Sequence, residues 1–597
     1  MRSTFKVITA GLLFIMGCGL LAFHNPPDTT AELIRKKLVT QADSFLTTVR
    51  RLQTTVVRPG NSLARQQRLR EARLAYKRLE WAAEYFSPLT SRQVNGPPVP
   101  ETELNGQIIL PEGLQLIEQL LFTRPSVSSQ KQLTILLAKL MVNADEYRHY
   151  FIHAHLQDWQ IMDAIKLEVF RVEALGLNDF DDPFARQCFK ESAAALNSAQ
   201  EVTLHYVQED DSHLQGCFTR AIRYLTNPVT FDRFDRAAFL TAYANPLTRE
   251  LTSLHQQLKL PDIRYNRLLN QDAATLFNSN AFNRNAYINA PEDSATEQKI
   301  ALGKKLFFDT RLSGTMTRSC ASCHQPDKAF TDGLAKNLDI SGKKTILRNT
   351  PTLINAALQP AQFYDLRAAS LETQVKDVIN NRDEMHGDIQ LLSQNIWRDK
   401  TYRDLFTNAF PAKSRTAIDT AEVMNALASY IRSLTALNSR FDEYMRGNQK
   451  MLDQTEINGF NLFMGKARCS TCHYLPLFNG TLPPRYMQMD AEVIGVPKTK
   501  TSKIIDPDRG LFNIQPMEFN RYAFKVTTVR NTTETAPYMH NGAYKTLEDV
   551  IDFYDQGGGA GMGLKIPNQT LSPDHLQLTS KEKKDLIAFI KALSNHQ

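Results

Sequence analysis

A marked excess of charge of one sign is lacking in this chain. Lys and Arg number 70 against 63 Asp and Glu in 597 residues, a net +7. A basic bias that thin can help meet an acidic partner, but it is not the footprint of a nucleic-acid binder. With 42% hydrophobic and 22% charged residues, the chain also lacks the composition of a disordered, collagenous or multi-span membrane protein. Tryptophan is nearly missing, at three residues, and cysteine is sparse, at seven. What remains is ordinary globular material, enough for three or four domain-sized units.

The one long apolar run lies at the start. Arg2 and Lys6 precede Val7–Phe23, and a polar stretch from Asn25 follows. This order of basic, apolar and polar segments predicts a signal peptide over 1–23 and a periplasmic location. The rival is a single-pass anchor, for which the run is marginal in length. Ile15-Met-Gly-Cys18 resembles the cleavage box of bacterial lipoproteins, which implies lipidation of Cys18 and membrane contact through that anchor alone.

Four of the other six cysteines fall into Cys320-Ala-Ser-Cys323-His324 and Cys469-Ser-Thr-Cys472-His473. C-x-x-C-H is the attachment signature of c-type haem. Two thiols one turn apart bond the two porphyrin vinyl groups, and the next histidine sits beneath the iron. A redox dithiol does not explain the histidine twice, and a zinc pair does not explain export. The reading is two covalently bound haem c groups, with His324 and His473 on the irons.

A short apolar-periodic helix precedes each motif, at Ile300–Phe308 and Ile457–Phe463, and Thr579-Ser-Lys-Glu582 opens a last helix by a capping-box pattern. The predicted fold is all-α: a helical bundle over 30–265, a linker over 266–294, and tandem cytochrome c-like domains over 295–450 and 451–597. The bundle rests on helical runs at 63–85, 131–158, 188–208 and 237–258. Within it, Glu146, His149 and His153 share a helix face and can be read as metal ligands, solvated side chains being the commoner outcome. Cys188 and Cys217 have the option of a disulfide.

Residues from about 295 to 595 resemble the bacterial di-haem cytochrome c peroxidase / MauG family. The resemblance is carried by Leu302-Gly-Lys-Lys-Leu-Phe-Phe-Asp309, Arg348-Asn-Thr-Pro-Thr352, Asp365-Leu-Arg-Ala-Ala-Ser-Leu-Glu-Thr-Gln374 and Thr535-Ala-Pro-Tyr-Met-His-Asn-Gly542. It implies a peroxidatic first haem and an electron-transfer second haem. It implies Glu384 and Gln374 as distal catalytic residues, with Glu384 as the acid–base group. It implies a calcium ion at Asn349, Thr535 and Pro537, which is compatible with the oxygen ligands that a hard cation takes. Glu80-Trp-Ala-Ala-Glu-Tyr85 and Gly113-Leu-Gln-Leu-Ile-Glu118 faintly resemble imelysin-like domains, with Gln115 where that family has histidine.

Three departures set expectations. Many family members carry a histidine shortly after the first motif that closes the peroxidatic iron; Asn337-Leu-Asp-Ile-Ser341 has none. The first iron is therefore expected to be open, unless His386 reaches in. At the second haem, Tyr554 stands where electron-transferring members hold an axial methionine and the MauG branch has tyrosine, with Met539 and Met562 as rivals. Tyr364 replaces the tryptophan expected between the haems.

The expected function is reduction of hydrogen peroxide with electrons from a small donor protein such as a c-type cytochrome. The alternatives are MauG-like oxidation of a protein or organic substrate, and a non-enzymatic electron carrier or haem sensor.

Overall fold

The computed structural model describes residues 29–595 apart from 58–61, 103–106, 124–126, 208–211, 228, 264 and 412–416. The expected signal peptide over 1–23, with Cys18, lies outside the described residues. The described chain is mostly helical, with two short antiparallel strand pairs, Glu101–Thr102 with Ile108–Ile109 and Ala491–Glu492 with Phe524–Lys525. Among the described residues no helix is long and apolar enough to cross a membrane.

The N-terminal half is a helical bundle built on Thr30–Val57, Ser62–Phe86, Val127–His153, Asp158–Arg171, Cys188–Thr203, Ser212–Thr226 and Asn245–Gln257. Thr30–Val57 buries Ile34, Leu38, Phe45, Val49, Leu52 and Val56, the three- and four-residue spacing of a helix with one apolar face. Asp158–Arg171 is different: every residue from Ile161 to Arg171 is buried. Its buried charged residues, Asp163, Lys166, Glu168 and Arg171, interrupt the apolar spacing, so periodicity could not separate it from the run before it. Its start is fixed by a capping box between Gln157 and Gln160.

The haem half contains the same device twice. Helix Glu297–Phe307 packs across Thr420–Ser433, and Gln454–Met464 packs across Ser580–Ala592. The crossing points are glycines. A Cβ on Gly303 would collide with the Ala426 carbonyl, and one on Gly459 with the Asp585 carbonyl. Three of the four helices begin with a capping box (Asp419/Glu422, Asp453/Glu456, Thr579/Glu582). Each cap contributes about 1 kcal/mol.

The segment 266–294 is not a free linker. Leu268, Leu269, Leu276, Phe277 and Phe282 are buried in the main core, and the Asn266 amide donates to the carbonyls of Asn285 and Ala286 (2.8 and 3.0 Å). Asparagine-rich composition signalled turns, and the apolar residues between them pack. One apolar cluster runs through the bundle, this strap and the second haem region, whereas the first haem region has a core of its own. The bundle and the second haem region therefore share one interior.

Candidate functional site: two haem-attachment centres

Each C-x-x-C-H motif folds as one 3-10 turn, Cys320–Ser322 and Cys469–Thr471. In both, the histidine N–H donates to the carbonyl of the first cysteine (2.9 Å for His324 and for His473). At the first centre, His324 Nδ1 lies 3.0 Å from the Phe330 carbonyl. Nδ1 therefore carries the proton, and Nε2 is left as the lone-pair donor an iron needs. Desolvation lowers both imidazoles, His473 to about 4, so both are neutral near pH 7. Desolvation also pushes Cys320 to about 12 and Cys323 to about 11. All four motif cysteines are free of disulfides. Unpaired, adjacent thiols with a neutral histidine fit covalent haem at both places.

The first centre is ordered by a network that sequence reading missed. Asp332 Oδ2 accepts from Asn337 Nδ2 (2.8 Å) and Thr350 Oγ1 (2.7 Å), and Asn337 Nδ2 also meets Cys323 Sγ at 3.4 Å. Asn337 opens the stretch in which the histidine is lacking, and its side chain is held against the attachment cysteine. His386 is exposed, at φ 49°, with Nδ1 3.1 Å from the Arg382 carbonyl.

Gln374 lies on helix Leu371–Asn380, which Ser370 caps, and its Oε1 is buried without a hydrogen-bond partner. Glu384 follows in the turn after that helix. Its Oε1 accepts from Asn381 Nδ2 (2.8 Å), and its carbonyl accepts from Arg318 (3.3 Å). Burial raises the Glu384 carboxyl above the usual range, against the pull of Arg367 and Arg318. Glu384 also acts electrostatically on Cys323, which puts it beside the first attachment site.

The second centre contains Tyr554 on helix Leu547–Asp555. Burial holds this phenol well above its ordinary value, and the Cys472 and Cys469 thiols add to that rise. Met539 is at φ 73°, and Met562 follows the short helix Gly558–Gly561.

Between the centres runs a polar seam. The Asn349 N–H donates to the His540 carbonyl (2.7 Å), and Lys525 N–H to the Tyr364 carbonyl (2.7 Å). The Tyr364 hydroxyl donates to Asn349 Oδ1 (3.4 Å). Arg348 bridges Asp365 and Asp508 (2.6 Å each), and His540 stacks on Phe524 at 3.7 Å. Tyr364 and Asn349 thus sit together on this seam. Thr535 closes the turn Thr532–Glu534, with Pro537 two residues on.

In the bundle, Gln115 is buried and donates to the Asn95 carbonyl (2.8 Å). His149, His153 and Glu146 are exposed, and no His/Cys/Asp/Glu cluster suited to a metal ion occurs among the described residues. Cys188 and Cys217 are buried free thiols, not a disulfide.

Two haem-attachment turns, each enclosed by crossed helices, define a di-haem c-type protein. The profile of the di-haem cytochrome c peroxidase family matches residues 297–450. Methylamine utilization protein MauG of Methylorubrum extorquens is 34% identical over 298 residues, covering 50% of this chain and 78% of that protein. Cytochrome-c peroxidase IdrP1 of Pseudomonas sp. strain SCT is 32% identical over 357 residues, covering 55% and 91%. A solved MauG-like protein associated with microbial copper homeostasis matches at 30% identity and a TM-score of 0.45, covering 52% of this chain and 94% of that one. The chain belongs to the di-haem cytochrome c peroxidase family. It is an oxidoreductase acting on peroxide, and the family carries two haem c groups; the reading as a mere carrier or sensor is set aside.

Proposed function

We propose that this protein reduces hydrogen peroxide at the first haem, in the periplasm, with electrons passed through the second haem from a small donor such as a c-type cytochrome. The observation that supports this reading is the arrangement of side chains around the first centre. Asn337 is bound to Asp332 and Cys323, His386 faces solvent, and Gln374 presents a buried, unpartnered oxygen. Haem, when bound, supplies the iron at which peroxide is cleaved. Glu384 takes a proton from one peroxide oxygen and returns it to the other, which leaves as water; its raised pKa suits both halves of that transfer. Gln374 Oε1 accepts from the peroxide hydroxyl and orients it.

A second reading, MauG-like oxidation of a protein or organic substrate, is favoured by Tyr554. Its phenol is buried, with the Cys472 and Cys469 thiols among the groups that raise it, and as a phenolate on the iron it would be a hard anionic donor, which favours the oxidised states. The test is stopped-flow absorbance of the diferric protein with stoichiometric peroxide. A fast Soret change without prior reduction supports the open first iron. No change until one haem is reduced overturns it. A slow decay of that change that becomes fast in Tyr554→Phe selects the second reading.

Tyr364→Phe is expected to slow electron exchange between the haems several-fold by removing the hydroxyl held at Asn349. Flash-reduction kinetics at the two Soret bands check this, and an unchanged rate excludes Tyr364 from the path. Calcium at Asn349, Thr535 and Pro537 belongs to the same proposal. Treatment with EGTA is expected to weaken communication between the haems, read as a loss of that exchange rate restored by calcium.

A further inference from the structure

The two attachment turns differ in what covers them. In the first, Ala321, the residue after the first cysteine, is half-buried. In the second, the equivalent interior of the motif is sealed: Ser470 is 0% exposed. Its cover comes from the helical bundle, 292 residues away in sequence. Asn178, itself fully buried, donates through Nδ2 to the Ser470 carbonyl (3.3 Å) and Oγ (3.1 Å).

The residues on either side of Asn178 repeat the contact. Asp179, 1% exposed, places Oδ2 2.9 Å from Nε of Arg468, the residue just before Cys469. Phe180 stands edge-on to Tyr474, the residue just after His473, with ring centres 5.7 Å apart. The Leu177 carbonyl accepts from Arg236 (2.8 Å), whose own N–H donates to Asn461 on the helix leading into the motif. Behind this loop, Asp181 is clamped by Lys77, Arg171 and Asn95 (2.5 to 3.0 Å). The segment Leu177–Asp181 is therefore fixed to the bundle on one side and to the second haem turn on the other.

This arrangement exceeds what packing needs. A buried carboxylate is expensive unless its charge is matched; Arg468 alone supplies that match at this motif, and neither Asp179 oxygen has a hydrogen-bond partner. A negative charge held in a low-dielectric interior stabilises the more positive, oxidised state of a nearby iron. We propose that the helical bundle is a built-in cap on the second haem. In it Asn178 is the positioning residue that holds the attachment turn, and Asp179 biases that haem toward its oxidised state. The domain's role is then to set the potential at which the second haem gives up or takes electrons, whichever partner it serves.

The experiment is a spectroelectrochemical titration of the full-length holoprotein, with the first haem as internal reference and haem content measured as pyridine haemochrome. Asp179→Asn, nearly isosteric, is expected to shift the second haem to a more positive midpoint, on the order of tenfold in its ferric/ferrous ratio, about 59 mV for a one-electron couple. The first haem stays where it was. Arg468→Gln, at a partly exposed position, is expected to shift the second haem the opposite way. A scaffold role would lower the melting temperature of Asp179→Asn and leave the second midpoint at the wild-type value, and that result overturns the proposal. Should Asp179→Asn fail to load two haems, Arg468→Gln decides alone: a negative shift supports the cap, and an unmoved midpoint refutes it.

Discussion

Replacing Glu384 by Gln is expected to slow the reaction of the diferric protein with hydrogen peroxide by about 10²- to 10⁴-fold, the usual worth of a positioned acid–base group. Both haems should remain attached, because Glu384 takes no part in either attachment turn. The change keeps the shape and the hydrogen-bonding reach toward Asn381 and removes only the exchangeable proton. The pH dependence gives the sign. Glu384 must be ionised to accept the first proton, and burial raises its pKa above the ordinary carboxylate range. The rate in the native protein should therefore fall as pH drops through that raised value, at a higher pH than an exposed glutamate would give. The Gln variant should be slow at every pH and lose this limb. A variant that keeps both the rate and the pH profile would remove Glu384 from the mechanism.

Glu372→Ala is expected to be the most damaging substitution outside the motifs. Glu372 accepts from both Arg432 guanidinium nitrogens (2.7 and 3.0 Å) and from Asn425 (3.0 Å). Arg432 is 2% exposed. Truncation leaves a buried cation without its partner, a loss of about 3–5 kcal/mol. The pair joins helix Leu371–Asn380, which carries Gln374, to helix Thr420–Ser433, which crosses the first helix of the haem half. The melting transition of the first haem region should fall by several degrees, and peroxide reactivity should fall with it as Gln374 loses its support. Unchanged thermal stability would mean that the low-dielectric argument fails at this pair.

Much of the centre was legible in the chain because covalent haem attachment is written in consecutive residues. Cys320, Cys323 and His324, and their counterparts Cys469, Cys472 and His473, need only one turn of backbone to come together. The crossed helices were legible for a related reason: their caps and apolar spacing are local. The helix Asp158–Arg171 was not, because its buried charged residues interrupt the apolar spacing that periodicity measures. The packing of the Asn-rich segment was not legible, because turn composition carries no information about what the apolar residues between the turns touch.

The sequence by itself determined two C-x-x-C-H turns and a mostly helical chain. Tertiary structure alone decided three things. Asn337 is engaged against Cys323, His386 is turned to solvent, and the helical bundle reaches Ser470 and Arg468 through Asn178 and Asp179. The physical reason is range. Capping, spacing and attachment act over a few residues, whereas a hydrogen bond across 292 positions exists only once two separate segments share one core.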